Sequence, residues 1–246
     1  GYATPVPYDH RGTEAFIMFG PSYAYGVNAA TGKQLWSKSF KSSDINAADP
    51  VLYNGKIFLT SSSRDGELIE LNGTSTSSKW KNRNIRTYLN AGVVIGDYLY
   101  GADGTTWSGN KVRCINMETG ETEWTKNSIP CASITAADAK LIILSLTGNL
   151  YIAEASPSRF MQLAMAKVIT GTCFTVPVLA NRSLYVRNSR GTLYKLQMSE
   201  MVTEPQPLAV NFAGSYLEFS WPAKGNFILE SADALGQAAD WSEVGG

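Results

Sequence analysis

The chain has 246 residues, with 21 Lys and Arg balanced by 21 Asp and Glu and a single His, so bulk charge supports neither a nucleic-acid partner nor an acidic tail. Apolar residues make up 44% and aromatics 11%, enough for a packed core. The longest apolar runs, such as Leu141-Ile142-Ile143-Leu144, are far too short to span a bilayer.

In chain order, the opening GYATPVPYDH shows neither the basic nor the apolar stretch of a signal peptide. A strand-like segment at 4–10, TPVPYDH, then returns as DPVLYNG (49–55), AGVVIGD (91–97), ASITAAD (132–138) and VPVLANR (176–182). Val6, Val51, Val93, Ile134 and Val178 align at spacings of 45, 42, 41 and 44. Each segment is followed by a second apolar run (AFIMFG, KIFLTS, DYLYGA, KLIILS, SLYVRN) and by a third (AYGVNA, ELIELN, KVRCIN, NLYIAE, TLYKLQ). Short runs rich in Val, Ile, Leu, Phe and Tyr, bounded by Asn-Gly, Gly-Asp and Arg-Gly pairs, predict hairpins.

A fourth strand is marked by tryptophan. Trp36, Trp80 and Trp124 fall on a period of 44, and the first and last close the echoing stretches TGKQLW and TGETEW. Gly32 and Gly120 of those stretches fit a positive-φ turn before the fourth strand. The tryptophans are predicted to wedge between neighbouring sheets. The expectation is an all-β chain, a β-propeller of four-stranded antiparallel blades at about 4–40, 49–82, 90–126, 131–168 and 174–198 within a repeat region 1–203. Several runs are apolar at consecutive residues, as expected of sheets covered on both faces.

The pattern P-V, G-K-I-F-L, G-x-L, then L-N-x-x-T-G-x-x-x-W resembles the PQQ-like propeller repeat over about residues 4–200. Quinoprotein alcohol dehydrogenases carry that repeat, and so do non-catalytic relatives such as the outer-membrane assembly lipoprotein. The resemblance implies seven or eight blades in a ring, so the five repeats here are expected to be the C-terminal part of a longer protein with a bare blade face at the N-terminal side. Quinone-binding relatives use adjacent cysteines and calcium-ligating side chains, whereas Cys114 and Cys131 are 17 apart. No catalytic, cofactor-binding or metal residue is carried over, and no cofactor is expected. The alternative is the C-terminal part of an alcohol or sugar dehydrogenase dependent on PQQ and calcium, which leaves enzyme status open.

Propellers bind through the loops at one face. Here those loops supply Arg64, Asp65, Arg83, Arg86, Asp103, Trp107, Arg187 and Arg190 as a candidate face for a protein or polysaccharide partner. His10 sits in a turn without other metal-ligand candidates. Cys131 and Cys173 precede the first strands of consecutive blades and could pair or stay as isolated thiols.

The fifth repeat lacks the Thr-Gly turn and the Trp strand after residue 200. Its missing strand is expected from an N-terminal donor, for which residues 1–3 leave no room. A linker at 204–214, with Pro205 and Pro207, leads to 215–246, which resembles the start of an Ig- or fibronectin-like module of exported bacterial proteins. The predicted function is a non-catalytic binding scaffold with a periplasmic, cell-surface or secreted location.

Overall fold

The computed structural model describes residues 1–105 and 109–197 and, beyond them, the backbone of five short strands. The chain divides into two compact units, Gly1–Cys131 and Ala132–Gly246. Among the described residues every regular element is a strand, and the four-stranded sheets are antiparallel meanders in chain order.

The first unit holds three four-stranded sheets. They are β1 (Val6–Asp9), β2 (Glu14–Phe19), β3 (Tyr23–Asn28) and β4 (Gln34–Ser39); β5 (Val51–Tyr53), β6 (Lys56–Ser61), β7 (Arg64–Asn72) and β8 (Ser75–Asn82); and β9 (Val93–Ile95), β10 (Tyr98–Asp103), β11 (Lys111–Asn116) and β12 (Thr122–Asn127). Alternate side chains of a strand point to opposite faces, so a run of consecutive apolar residues supplies two faces at once. Strand β6 does so: Ile57 and Leu59 join Ile17, Phe19 and Trp36 of the first sheet, while Phe58 joins Leu99 and Ile115 of the third. On β7, Ile69 and Leu68 divide in the same way. The cores of this unit therefore lie between successive sheets.

The fourth strands share one irregularity. Trp36 pairs with Gly26 and Gln34 with Val27, leaving Leu35 as an extra bulged residue. Lys79 is bulged beside Trp80, and Glu123 beside Trp124, in the same register. A bulge turns the next side chain, so Trp36 lies over Gly26, where an added Cβ would fall 2.0 Å from the indole nitrogen. The Trp36 indole N–H donates to the Tyr8 hydroxyl at 2.6 Å, and that of Trp80 donates to the Met117 carbonyl of the next sheet at 2.6 Å. Trp80 also accounts for Gly120, which has φ +76 and an ideal Cβ position only 2.6 Å from the indole.

The turns before β4 and β12 are built by an asparagine whose role the sequence pattern did not expose. The Asn28 side-chain oxygen accepts from the N–H groups of Ala30 and Thr31, at 3.0 and 2.8 Å. Asn116 accepts in the same way from Glu118 and Thr119, at 3.0 and 3.2 Å. In both turns the threonine hydroxyl then caps the N–H two residues on, and the glycine N–H returns to the asparagine carbonyl. Asn-x-x-Thr-Gly is thus a self-bonded turn, with Gly32 at φ +70.

The second unit holds β13 (Ser133–Ala137), β14 (Lys140–Leu144), β15 (Asn149–Glu154) and β16 (Met161–Lys167) in one sheet, and β17 (Val178–Ala180), β18 (Ser183–Arg187) and β19 (Leu193–Gln197) in the next. Its core sets Ile142, Leu144 and Leu150 against Leu184, Val186 and Leu196. The hairpin registers revise one alignment. Thr135, not Ile134, holds the place of Val51 and Val93, since it pairs with Ile142 as Val51 pairs with Phe58. The bulge recurs in this unit, with Leu163 unopposed and Ala164 where the other sheets have tryptophan. Ala164 faces Ile152.

Beyond residue 197, β20 (Ala209–Ala213), β21 (Tyr216–Ser220) and β22 (Asn226–Phe227) form a small sheet. Strand β23 (Leu229–Ser231) pairs antiparallel with β19, and β24 (Ser242–Glu243) pairs with β23. The strand beside β19 therefore comes from the C-terminal side of the chain, not from an N-terminal donor.

The fully buried indole of Trp36 spans two sheets, so Trp36→Ala is expected to destabilise the chain by about 3–5 kcal/mol in urea unfolding. Gln34→Ala, two residues away and exposed, should stay within about 0.5 kcal/mol of the parent.

Candidate functional site

The loops that the sequence singled out carry charge, and the fold consumes much of it internally. Arg64 opens β7 and reaches back over the first sheet, with its guanidinium 4.1 Å from the centre of the Phe40 ring. It donates to the Lys41 and Ser39 carbonyls at 3.4 and 3.5 Å and meets Glu67 at 3.4 Å. Glu67 is buried and takes a second cation, Lys38, at 2.5 Å. The buried carboxylate thus compensates both cations at once. Arg64 therefore fastens one sheet to the next.

A second carboxylate does the same between the second and third sheets. Asp103 ends β10 with only 3% of its side chain exposed, facing Arg113 at 3.4 Å and Arg86 at 3.8 Å. It also accepts from the Arg86 backbone N–H at 2.9 Å, while the Thr87 N–H donates to the Thr60 hydroxyl at 3.1 Å. These two bonds pin the segment that leads from β8 to β9. Arg113 donates as well to the Asn84 carbonyl. Among the described residues the Arg86 and Arg113 Nε atoms and the hydroxyls of Ser61 and Thr87 are buried without a hydrogen-bond partner. Such groups ordinarily bind ordered water.

What faces outward is smaller than the sequence suggested. Arg83, with 80% of its side chain exposed, is held by Asp65 at 3.2 Å, and Arg86 is about one-third exposed beside them. Arg187 and Arg190 belong to the second unit, at the end of β18 and in the following turn, and both are exposed. That turn is organised by Asn188, whose side-chain oxygen accepts from the Arg190 and Thr192 N–H groups. Trp107 lies outside the described residues. Glu67, Lys38 and Arg113 were missed, although a charge inside an apolar run, as in ELIEL and KVRCI, is the signal that marks two of them.

A calcium and quinone site needs carboxylates free to ligate. Both buried ones, Glu67 and Asp103, are already shared between cations, and among the described residues no three His, Cys, Asp or Glu side chains converge. The residues present do not fit that cofactor. Cys114, Cys131 and Cys173 are free and buried, so the pairing considered for the last two is not formed. His10 packs edge-on against Tyr8.

Asp103→Ala should cost about 3–5 kcal/mol, because it strands two partly buried guanidiniums, whereas Asp65→Ala should cost under about 1 kcal/mol; urea unfolding of both variants checks this. Burial pushes the Cys114 thiol up to about 12 and the Cys131 thiol up to about 11 from an ordinary 9.0. The folded thiols hold their protons to higher pH than the unfolded ones, so their contribution is intact below about pH 9 and is lost as the pH rises through 11 to 12. Unfolding midpoints measured from pH 8 to pH 12 should show that fall.

Among solved structures, BamB from Moraxella catarrhalis superposes with a TM-score of 0.60 at 18% identity, covering 83% of this chain and 60% of that one. The chain thus spans about 60% of the length of that relative. The β-propeller domain of Cps50 (Swd1) from Myceliophteria thermophila gives 0.59 at 10% identity, covering 98% and 85%. The C-terminal WD40 domain of Sif2 gives 0.57 at 13%, covering 90% and 67%. At such identities these likenesses establish a propeller fold alone. No curated protein matches the chain by sequence. The family model described as outer membrane protein assembly factor BamB matches residues 3–126, half of the chain, and the chain belongs to that family.

Proposed function

We propose that this chain is a non-catalytic β-propeller scaffold that binds a protein partner in the bacterial envelope, in a periplasmic, cell-surface or secreted location. The observation that carries the reading is the charged rim between the second and third sheets. There Arg83 and Asp65 project from a loop whose base is locked by Asp103, Arg86 and Arg113. Charges fixed on a rigid base can recognise a partner without a large ordering cost. On the second unit Arg187 and Arg190 form a basic rim of their own. The family's description as an assembly factor of outer membrane proteins supports a protein partner over a polysaccharide. In this reading residues 1–203 are the repeat region, 204–214 a linker, and 215–246 part of a small β-module.

The test is a photo-crosslinking residue at position 83 of the full protein, expressed in a bacterial cell. A protease-sensitive adduct with an envelope protein, reduced at least about fivefold by a paired Asp65→Lys and Arg86→Glu change, is expected. An adduct that charge reversal leaves unchanged, a protease-resistant polysaccharide adduct, or no adduct would overturn the proposal.

A further inference from the structure

The contact between the second and third sheets carries a buried surplus of positive charge and of hydrogen-bond donors. Arg86 and Arg113 share Asp103, and among the described residues neither guanidinium has a second carboxylate partner. Two cations against one carboxylate leave one positive charge over, beside an Asp103 side chain that is only 3% exposed. Asp103 does not use up the donors either. Its Oδ1 accepts from the Arg86 backbone N–H at 2.9 Å, whereas the Arg86 Nε stands 3.8 Å from that oxygen, beyond hydrogen-bond reach.

Four of the five buried side-chain polar atoms that lack a partner among the described residues belong to this one contact: Arg86 Nε, Arg113 Nε and the hydroxyls of Ser61 and Thr87. They lie on segments that are already joined. Thr87 follows Arg86, its backbone N–H donates to the Thr60 hydroxyl next to Ser61, and Arg86 and Arg113 meet at Asp103. Ser61 and Thr87 are both 0% exposed. The fifth atom, the Asn110 side-chain oxygen, is an acceptor just before β11 and needs only a water. The segment bearing Arg86 and Thr87 cannot close over these donors, because Ile85 beside it is wedged in place. An added Cβ would fall 2.8 Å from the Ile85 carbonyl oxygen at Gly66 and 2.6 Å from the Ile85 side chain at Gly101. The donors are therefore held open, and the Arg86 side chain, about one-third exposed, leads from them to solvent.

We propose that this contact is a binding site for one small monovalent anion, with chloride as its simplest occupant. The anion accepts from the Arg86 and Arg113 Nε–H groups and from the Ser61 and Thr87 hydroxyls, and its charge cancels the surplus that Asp103 leaves. Arginine nitrogens only donate, so a water molecule would satisfy the hydrogen bonds but not the buried charge. A divalent oxyanion would reverse the imbalance instead of removing it. The whole site lies within the first unit, and it does not rest on the scaffold reading.

Urea unfolding of the full chain and diffraction from bromide-grown crystals test it together. With gluconate exchanged for chloride at constant ionic strength, the unfolding midpoint should rise, as linkage requires of a ligand that binds only the folded chain. Ser61→Ala and Thr87→Val remove a hydroxyl and no charge. In gluconate both variants should match or exceed the parent's midpoint, since a buried hydroxyl without a partner has no bond to lose. Each should bind chloride at least about fivefold more weakly than the parent. In the crystal, anomalous scattering should place one bromide within hydrogen-bond reach of the Arg86 and Arg113 Nε atoms. A chloride response equal in parent and variants, a bromide bound in the crystal without any chloride response in solution, an ordered water in its place, or variants less stable than the parent in gluconate would each overturn the proposal.

Discussion

Among the described residues the meander sheets carry apolar side chains on both faces, so burying all of them takes a neighbour on each side of a sheet. Leaving one large aliphatic or aromatic side chain in water forgoes about 1.5–3 kcal/mol, and β6 alone places Ile57, Phe58 and Leu59 at zero exposure. Much of the rest follows from that requirement. The bulge before each tryptophan swings an indole over the sheet and toward the next one. In the fourth sheet the same bulge leads into Ala164 instead, opposite Ile152.

Stacking also dictates what happens to charge. In the first unit two carboxylates lie buried near the contacts between sheets, shielded from water. Glu67 and Asp103 meet this in the same way, each between two cations, although one sits within a third strand and the other at the end of a second. That arrangement makes the loop base rigid and leaves a small outward set, Arg83, Asp65 and part of Arg86, to meet a partner. The separation of fastening charge from presented charge is the main functional content of the first unit.

The repeat was legible in the sequence because its causes are local. Two-residue turns such as Asn54-Gly55, with φ of 45° and 72°, need residues that tolerate the left-handed region, and the alternation of strands and turns records the meander directly. The tryptophan period was readable because bulky residues at a fixed register leave a trace. Its fourth beat was hidden, because Ala164 looks like any other small residue until its bulge is seen. Thr135 was mistaken for Ile134 because apolar character was used to align strands, whereas hairpin register decides. The site was harder still. Arg64, Arg83 and Arg86 look alike as loop arginines, and only the placement of Phe40, Asp65 and Asp103 shows that the first fastens, the second projects and the third does both. The strand beside β19 was unreadable for another reason: it comes from about thirty residues further along the chain, and a pairing at that distance has no local signature.

Two-sided burial is tested most directly by oxidation of methionine in the native chain. Met18 and Met165 are 41% and 44% exposed, the latter on the edge strand β16, while Met117 lies at 0% between the second and third sheets. Dilute peroxide followed by peptide mass mapping should convert Met18 and Met165 to sulfoxide long before Met117, with the difference lost in urea. Equal oxidation of Met117 and Met18 in the folded chain would contradict the stacked arrangement.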